Sequence, residues 1–287
     1  MNGSRPRPVN LSDAGATLVE LLVYLVIASV VLASVYGLMI SQSRAYADQR
    51  EGMDARETVR GAAALLTSEL RQLSAAGGDL YSIQPTSLAL RSVFGSGIVC
   101  GLNGAKTAFG LWQATGKFYK TADDSALVFA AGEGGVSDDT WRVFHIIDVQ
   151  PGGSAPVPSC AWPASPTTES VVTGTGDTTG ISVGGGFRAF RRIEYGLFQD
   201  AGRWWLGRKT GSGAWERLTG PLRSPTDGGL SYSYFDAGGN VTADPAAVRT
   251  VEIVIRAESF GKARRYGGSA LPTERQDSIR TRVFLRG

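Results

Sequence analysis

Gly15-Ala16-Thr17-Leu18-Val19-Glu20-Leu21-Leu22 opens the stretch on which the fold of this chain turns. Behind it, Leu21 to Ile40 is an apolar run without one charged residue. At 1.5 Å per residue a helix over that run is about 30 Å long, the thickness of a bilayer's hydrocarbon core. Glu20 stands at the N-terminal edge of the run, inside the apolar sequence that begins at Leu18. A carboxylate in such a place is costly and tends to mark function. Upstream, residues 1–15 contain Arg5, Arg7 and one acid, Asp13, and no apolar core. A conventional secretory signal carries its apolar region before its cleavage site. The basic leader favours a cytoplasmic N-terminus, with the larger C-terminal part on the outer side.

Downstream the helical pattern continues. Ser41 to Arg60 is polar and rich in helix formers, with Arg44, Asp48, Arg50, Glu51, Asp54, Arg56 and Glu57 as a mixed-charge, solvated stretch. Val59, Ala63, Leu66, Leu70 and Leu73 then recur at helical spacing, one apolar stripe suited to docking on a sheet. Gly77-Gly78 is the expected stop. One helix from about Ala16 to Ala75 would be about 90 Å long. Its 16–40 part is the membrane span, and its 41–76 part is the spine of a head formed by residues 77–287.

From Leu80 onward the period changes from 3.6 to 2. Ser87–Val93, Ala126–Ala130 and Trp141–Val149 read as short strands, with turn residues between them. Residues 151–184, rich in Pro, Gly, Ser and Thr, read as a long loop between two halves of the head. The last hundred residues alternate more cleanly. Arg192–Leu197 and Arg203–Arg208 form a hairpin about Asp200-Ala201-Gly202; Leu230–Phe235, Val251–Arg256 and Ile279–Arg286 follow. The expected fold class is α+β, a long helix packed on an antiparallel sheet with one polar face.

Composition narrows the function. Among 287 residues the net charge is +3 and charged residues are 19 %, so bulk electrostatics do not point to nucleic acid. The 38 glycines suit a turn-rich β head. His145 is the single histidine, in the apolar strand Val143–Ile147, where a core or edge position is expected; no Gly-x-Ser-x-Gly elbow accompanies it. The acid pairs Asp123-Asp124 and Asp138-Asp139, and Asp236 with Asn240, match no EF-hand spacing, so no metal ligands are assigned. Arg188, Arg191 and Arg192, and Lys262, Arg264 and Arg265, read as solvated faces, and Trp204, Trp205 and Trp215 as core. Cys100 and Cys160 are the two cysteines, either bridged across a 60-residue separation or free and buried. No cofactor is expected.

The string Gly15-Ala16-Thr17-Leu18-Val19-Glu20 resembles the class III signal sequence of type IV pilins and type II secretion pseudopilins. In that family a prepilin peptidase cuts after a Gly, methylates the new N-terminus and leaves a Glu as fifth residue. The resemblance implies cleavage between Gly15 and Ala16, N-methylation of Ala16, and an assembly role for Glu20 against a neighbour's N-terminus. Ala16 stands where the family usually has Phe. The C-terminal hundred residues, with Arg191-Arg192-Ile193-Glu194-Tyr195, Gly202-Arg203-Trp204, Leu230-Ser231-Tyr232-Ser233-Tyr234-Phe235-Asp236 and Val248-Arg249-Thr250-Val251-Glu252-Ile253, are similar to minor pseudopilin J and the PilW-like minor pilins. Implied partners are other pilins or pseudopilins in a filament, the prepilin peptidase, an inner-membrane assembly platform and the membrane itself; nucleic acid is not expected, because the basic clusters read as solvated faces. The implied role is structural and not enzymatic. The alternative readings are a membrane-tethered binding, adhesin or DNA-uptake tip subunit, and a tethered enzyme or sensor.

Overall fold

The structure is a computed structural model that describes residues 17–116, 124–132, 139–152, 160, 170–263 and 273–286. Helix α1 runs over Leu18–Leu70, about 80 Å. Among the described residues twelve strands follow: β1 (Leu80–Ile83), β2 (Ser87–Leu102), β3 (Ala108–Gly116), β4 (Asp124–Ala130), β5 (Thr140–Pro151), β6 (Ser170–Gly176), β7 (Gly186–Asp200), β8 (Arg203–Thr210), β9 (Trp215–Leu222), β10 (Leu230–Phe235), β11 (Thr250–Ala263) and β12 (Thr273–Phe284). This is the expected α+β class, one long helix against antiparallel sheet.

The helix ends before Gly77-Gly78. Its last turn closes at Arg71, and the chain bends through Leu73 and Ser74, where the Arg286 N–H donates to the Leu73 carbonyl at 2.9 Å and the Ser74 N–H to the Asp79 carboxylate at 2.8 Å. Those partners satisfy groups that another helical turn would have used. Gly78, at φ +73°, makes the final turn into β1.

Two cores share the long strands β2 and β7, which pair from Ser87↔Gly196 to Ile98↔Gly186. The first lies under the helix. Val59, Ala62, Ala63, Leu66 and Leu70 pack on Leu88 and Leu90 of β2, Ile193 and Tyr195 of β7, and Leu206, Leu222, Leu230, Val251, Ile253, Ile255 and Val283 of the C-terminal strands. The second is enclosed by a ring. Strand β2 pairs with β3, β3 with β6, β6 with β5, β5 with β4, β4 with β7, and β7 with β2, every pair antiparallel. The ring closes a six-stranded barrel, and closure leaves its strands no free edge. Its interior is filled by Val99, Phe109, Leu111, Val128, Phe144, Val172 and Phe187, with Phe109 and Phe144 edge to face at 4.6 Å.

Three expectations change here. The stretch 151–184, expected as a loop, contains β6, whose Val171 and Val172 are buried. Gly174 hides this strand in the sequence, yet any side chain there would collide with the His145 carbonyl and the Phe144 ring. His145 is neither core nor edge. Central strand β5 puts Phe144 and Ile146 inward and His145 outward, exposed, its Nδ1 3.2 Å from Ser125 Oγ. Of the tryptophans, Trp205 is buried, while Trp204 and Trp215 are half-buried.

Candidate functional site

The site is the long helix and the way the head holds it. Thr17 is its N-cap, with extended backbone, and its Oγ1 accepts the Glu20 N–H at 3.3 Å. Thr17 and Glu20 thus occupy the ends of a Thr-x-x-Glu capping pattern, and Glu20 lies in the first turn, where the helix dipole favours an anion. Gly15 and Ala16 lie outside the described residues. The next twenty residues present apolar side chains all round. Leu18 is 79 % exposed and Leu32 69 %, and the most apolar window, of mean hydropathy 2.5, has no buried residue. A surface this long and apolar in an otherwise ordinary chain marks a place for lipid or for other helices.

The second half of the helix is fastened to the head at both ends. At the near end Asp48 forms an ion pair with Arg275 of β12, and Glu51 accepts the Gly261 N–H of β11 at 2.8 Å. Arg56 and Asp277, exposed and 3.8 Å apart, add little. At the far end Asp79 joins three segments. One oxygen takes the Ser74 N–H and the other takes Arg91 of β2 at 3.1 Å. Arg91, 7 % exposed, also donates to the Gly77 carbonyl at 3.2 Å and lies over the Phe190 ring at 4.6 Å. A buried guanidinium held by these partners, with its Nε donating to the Tyr81 hydroxyl at 3.4 Å, is paired, and its loss would strand the Asp79 charge.

Between the two ends, buried polar groups meet the helix. Burial raises the Glu69 carboxyl above its ordinary range, and Arg208 opposes that rise. The Tyr195 phenol is pushed up to about 12 by burial and then by the Glu69 charge. The Tyr232 hydroxyl is buried and finds no hydrogen-bond partner among the described residues, and burial holds its proton well above the usual range.

Cys100, fully buried on β2, is bonded to Cys160, with Cα atoms 4.7 Å apart. The basic residues of β7 do not form one patch. Arg191 makes a two-pronged pair with buried Asp124 at 2.5 and 3.0 Å, Arg188 stacks on Trp141 at 4.6 Å, and Arg192 lies over Tyr81 at 5.4 Å. Lys262 faces Glu274 at 3.5 Å; Arg264 and Arg265 lie outside the described residues. Asp139 accepts the Gly132 N–H, and Asp236 the Asn240 N–H, so both cap loops; Asp123 and Asp138 lie outside the described residues. Among the described residues no group of three His, Cys, Asp or Glu side chains is arranged to hold a metal. The Asp79–Arg91 junction and the Asp48 and Glu51 fastenings escape a reading of the sequence. One signal was present: Asp48 and Glu51 continue the line of Ala55 and Val59 along the helix.

Residues 11–36 match the family model described as the prokaryotic N-terminal methylation motif. The match supports a pilin-type precursor with a class III signal and a membrane-anchored helix. No curated protein and no solved structure matches the chain.

Proposed function

We propose that this chain is a structural pilin-like subunit. A prepilin peptidase cuts it between Gly15 and Ala16 and methylates Ala16. The helix then holds it in the inner membrane with the head outside, until an assembly platform packs it with other pilins, as a minor subunit at or near the tip of a type IV pilus or type II secretion pseudopilus. One observation carries this reading: the methylation motif at 11–36 opens a helix whose apolar window no described residue buries and whose second half is fastened to the head. About twenty exposed apolar side chains require a bilayer or a bundle of like helices, and a filament supplies the second when the subunit leaves the first. The Cys100–Cys160 bond suits a head outside the cytoplasm.

Glu20 supplies the test. In an apolar bundle its carboxylate needs a partner, and a neighbour's methylated amine at Ala16 is the group the motif would place there. Glu20→Ala leaves a more apolar span, so membrane insertion is retained. Its neighbour's amine then stays buried and unpaired, at about 3–5 kcal/mol, more than a hundredfold in an assembly equilibrium. Fractionation with partner crosslinking is expected to find this variant processed, in the membrane and missing from filaments. Normal incorporation would contradict the role given to Glu20.

A further inference from the structure

A cavity of about 300 Å³ opens where the two cores meet, between the last turn of α1 and the crossing of β2 with β7 and β4. Strand register and hydrogen bonds bring its walls together. Arg188 of β7 stands opposite both Ser96 of β2 and Leu127 of β4. Arg286 bridges to Ser74, whose N–H donates to Asp79, and Asp79 holds Arg91 of β2 at 3.1 Å. Arg91, Arg188 and Arg286 all line this one space, whose volume is at the lower end for a small-ligand site.

The arginine donors are not used up. Nε of Arg91 donates to the Tyr81 hydroxyl, and Nη1 to Asp79 and the Gly77 carbonyl. Nη2 of this 7 % exposed side chain is left without a partner among the described residues. Arg188 is exposed and has only the Trp141 ring at 4.6 Å. Arg286 is exposed and bonds the Leu73 carbonyl through its backbone, and its guanidinium makes no ion pair with a described residue. Two acids also line the cavity. Both Asp79 oxygens are already occupied, by Ser74 and Arg91, and Glu69 is half-buried. Three arginines against two acids leave a modest positive excess, which suits a single negative charge and disfavours a doubly charged anion. Leu73, Val93 and Leu127 add an apolar wall.

We infer that this cavity binds a carboxylate carried on a short apolar chain, through Nη2 of Arg91 and the guanidinium groups of Arg188 and Arg286. Guanidinium donors match a carboxylate in geometry as well as charge. A free small acid and the glutamate side chain of another protein share this chemistry. Either occupant would tie Arg286, beside the helix end, to Arg188 on the barrel, and so lock the two cores together.

The full chain in detergent micelles tests this by saturation-transfer NMR. The probes are butyrate, its uncharged match butyramide, and N-acetylglutamate N-methylamide as a protein-like glutamate. A carboxylate probe is expected to bind saturably and butyramide not. Arg188→Gln and Arg286→Gln are each expected to weaken binding about tenfold, the worth of a hydrogen bond to a charged group. Both side chains are exposed and neither change touches the Arg91–Asp79 pair, so the urea midpoint should stay at the parent value. Glu69→Gln removes an opposing charge and should tighten binding. Saturation by both carboxylates supports recognition of the group itself; by butyrate alone, a small acid; by the glutamate probe alone, a protein side chain. No saturation by either, or butyramide binding as well as butyrate, overturns the inference. Binding undiminished when Arg188→Gln and Arg286→Gln are combined places the carboxylate elsewhere and overturns it as well.

Discussion

Tyr232 is the buried phenol whose hydroxyl finds no partner among the described residues, stacked beside Tyr234 in the core under the helix. An unmade hydrogen bond at such a site costs about 1–3 kcal/mol, and removing the hydroxyl leaves the ring's packing in place. Tyr232→Phe is therefore expected to raise stability by about 1–2 kcal/mol in denaturant titration, whereas a loss of that size would reveal a partner the hydroxyl needs. Glu69 behaves as its burial dictates. Its folded pKa is raised, so the fold favours the protonated acid, a contribution present at low pH and lost as pH rises through the folded value. Glu69→Gln should thus raise the melting temperature slightly at pH 7, and the difference from the parent chain should vanish well below pH 4.5. Single residues of this kind are hard to find in a sequence. Ser231-Tyr232-Ser233 reads as an alternating strand, but nothing in it says that the inward hydroxyl will be left alone.

Elements are more legible where one period persists. The stripe Val59, Ala63, Leu66, Leu70 is apolar at helical spacing and is the face the helix buries. Leu66, 1 % exposed, should cost about 2–5 kcal/mol as Leu66→Ala, with the loss concentrated in helix–sheet contact and visible as faster exchange across Thr58–Leu70. The barrel is illegible for a physical reason. Strand β2 runs through Gly95-Ser96-Gly97-Ile98, with register shifts at Val93/Gly95, Ser96/Ile98 and Val99/Gly101, so its alternation breaks where it leaves one core for the other. Strand β6 is short and half glycine and threonine, and its place is set by tight approach to β5 instead of by apolar content. Gly174→Val should accordingly open the ring between β5 and β6 while sparing the helix core, seen as exchange rising in Thr140–Pro151 and Ser170–Gly176 but not in Thr250–Ile255.

At the scale of the molecule, an exposed apolar rod is joined to a two-core head that buries Tyr195, Tyr232 and Tyr234 under the helix. The folded state holds the Tyr195 proton more tightly than the unfolded chain does, so stability is complete below pH 10 and falls as pH rises toward about 12. Urea midpoints at pH 9 and pH 11 should show that fall, reduced in Tyr195→Phe. The Cys100–Cys160 bond closes a 60-residue separation across β3, β4 and β5, and its removal by Cys100→Ser with Cys160→Ser should cost about 3–5 kcal/mol. Only a short stretch at the N-terminus carries a legible address, because a cleavage motif and an apolar run are local. Pairing across β2 and β7 spans a hundred residues and leaves no local mark. The most direct measurement is therefore the N-terminus of the membrane-resident protein, made in a host with an active prepilin peptidase and read by intact mass and terminal sequencing. A processed subunit begins at Ala16 and carries one added methyl group; a protein still beginning at Met1 would contradict the whole assignment.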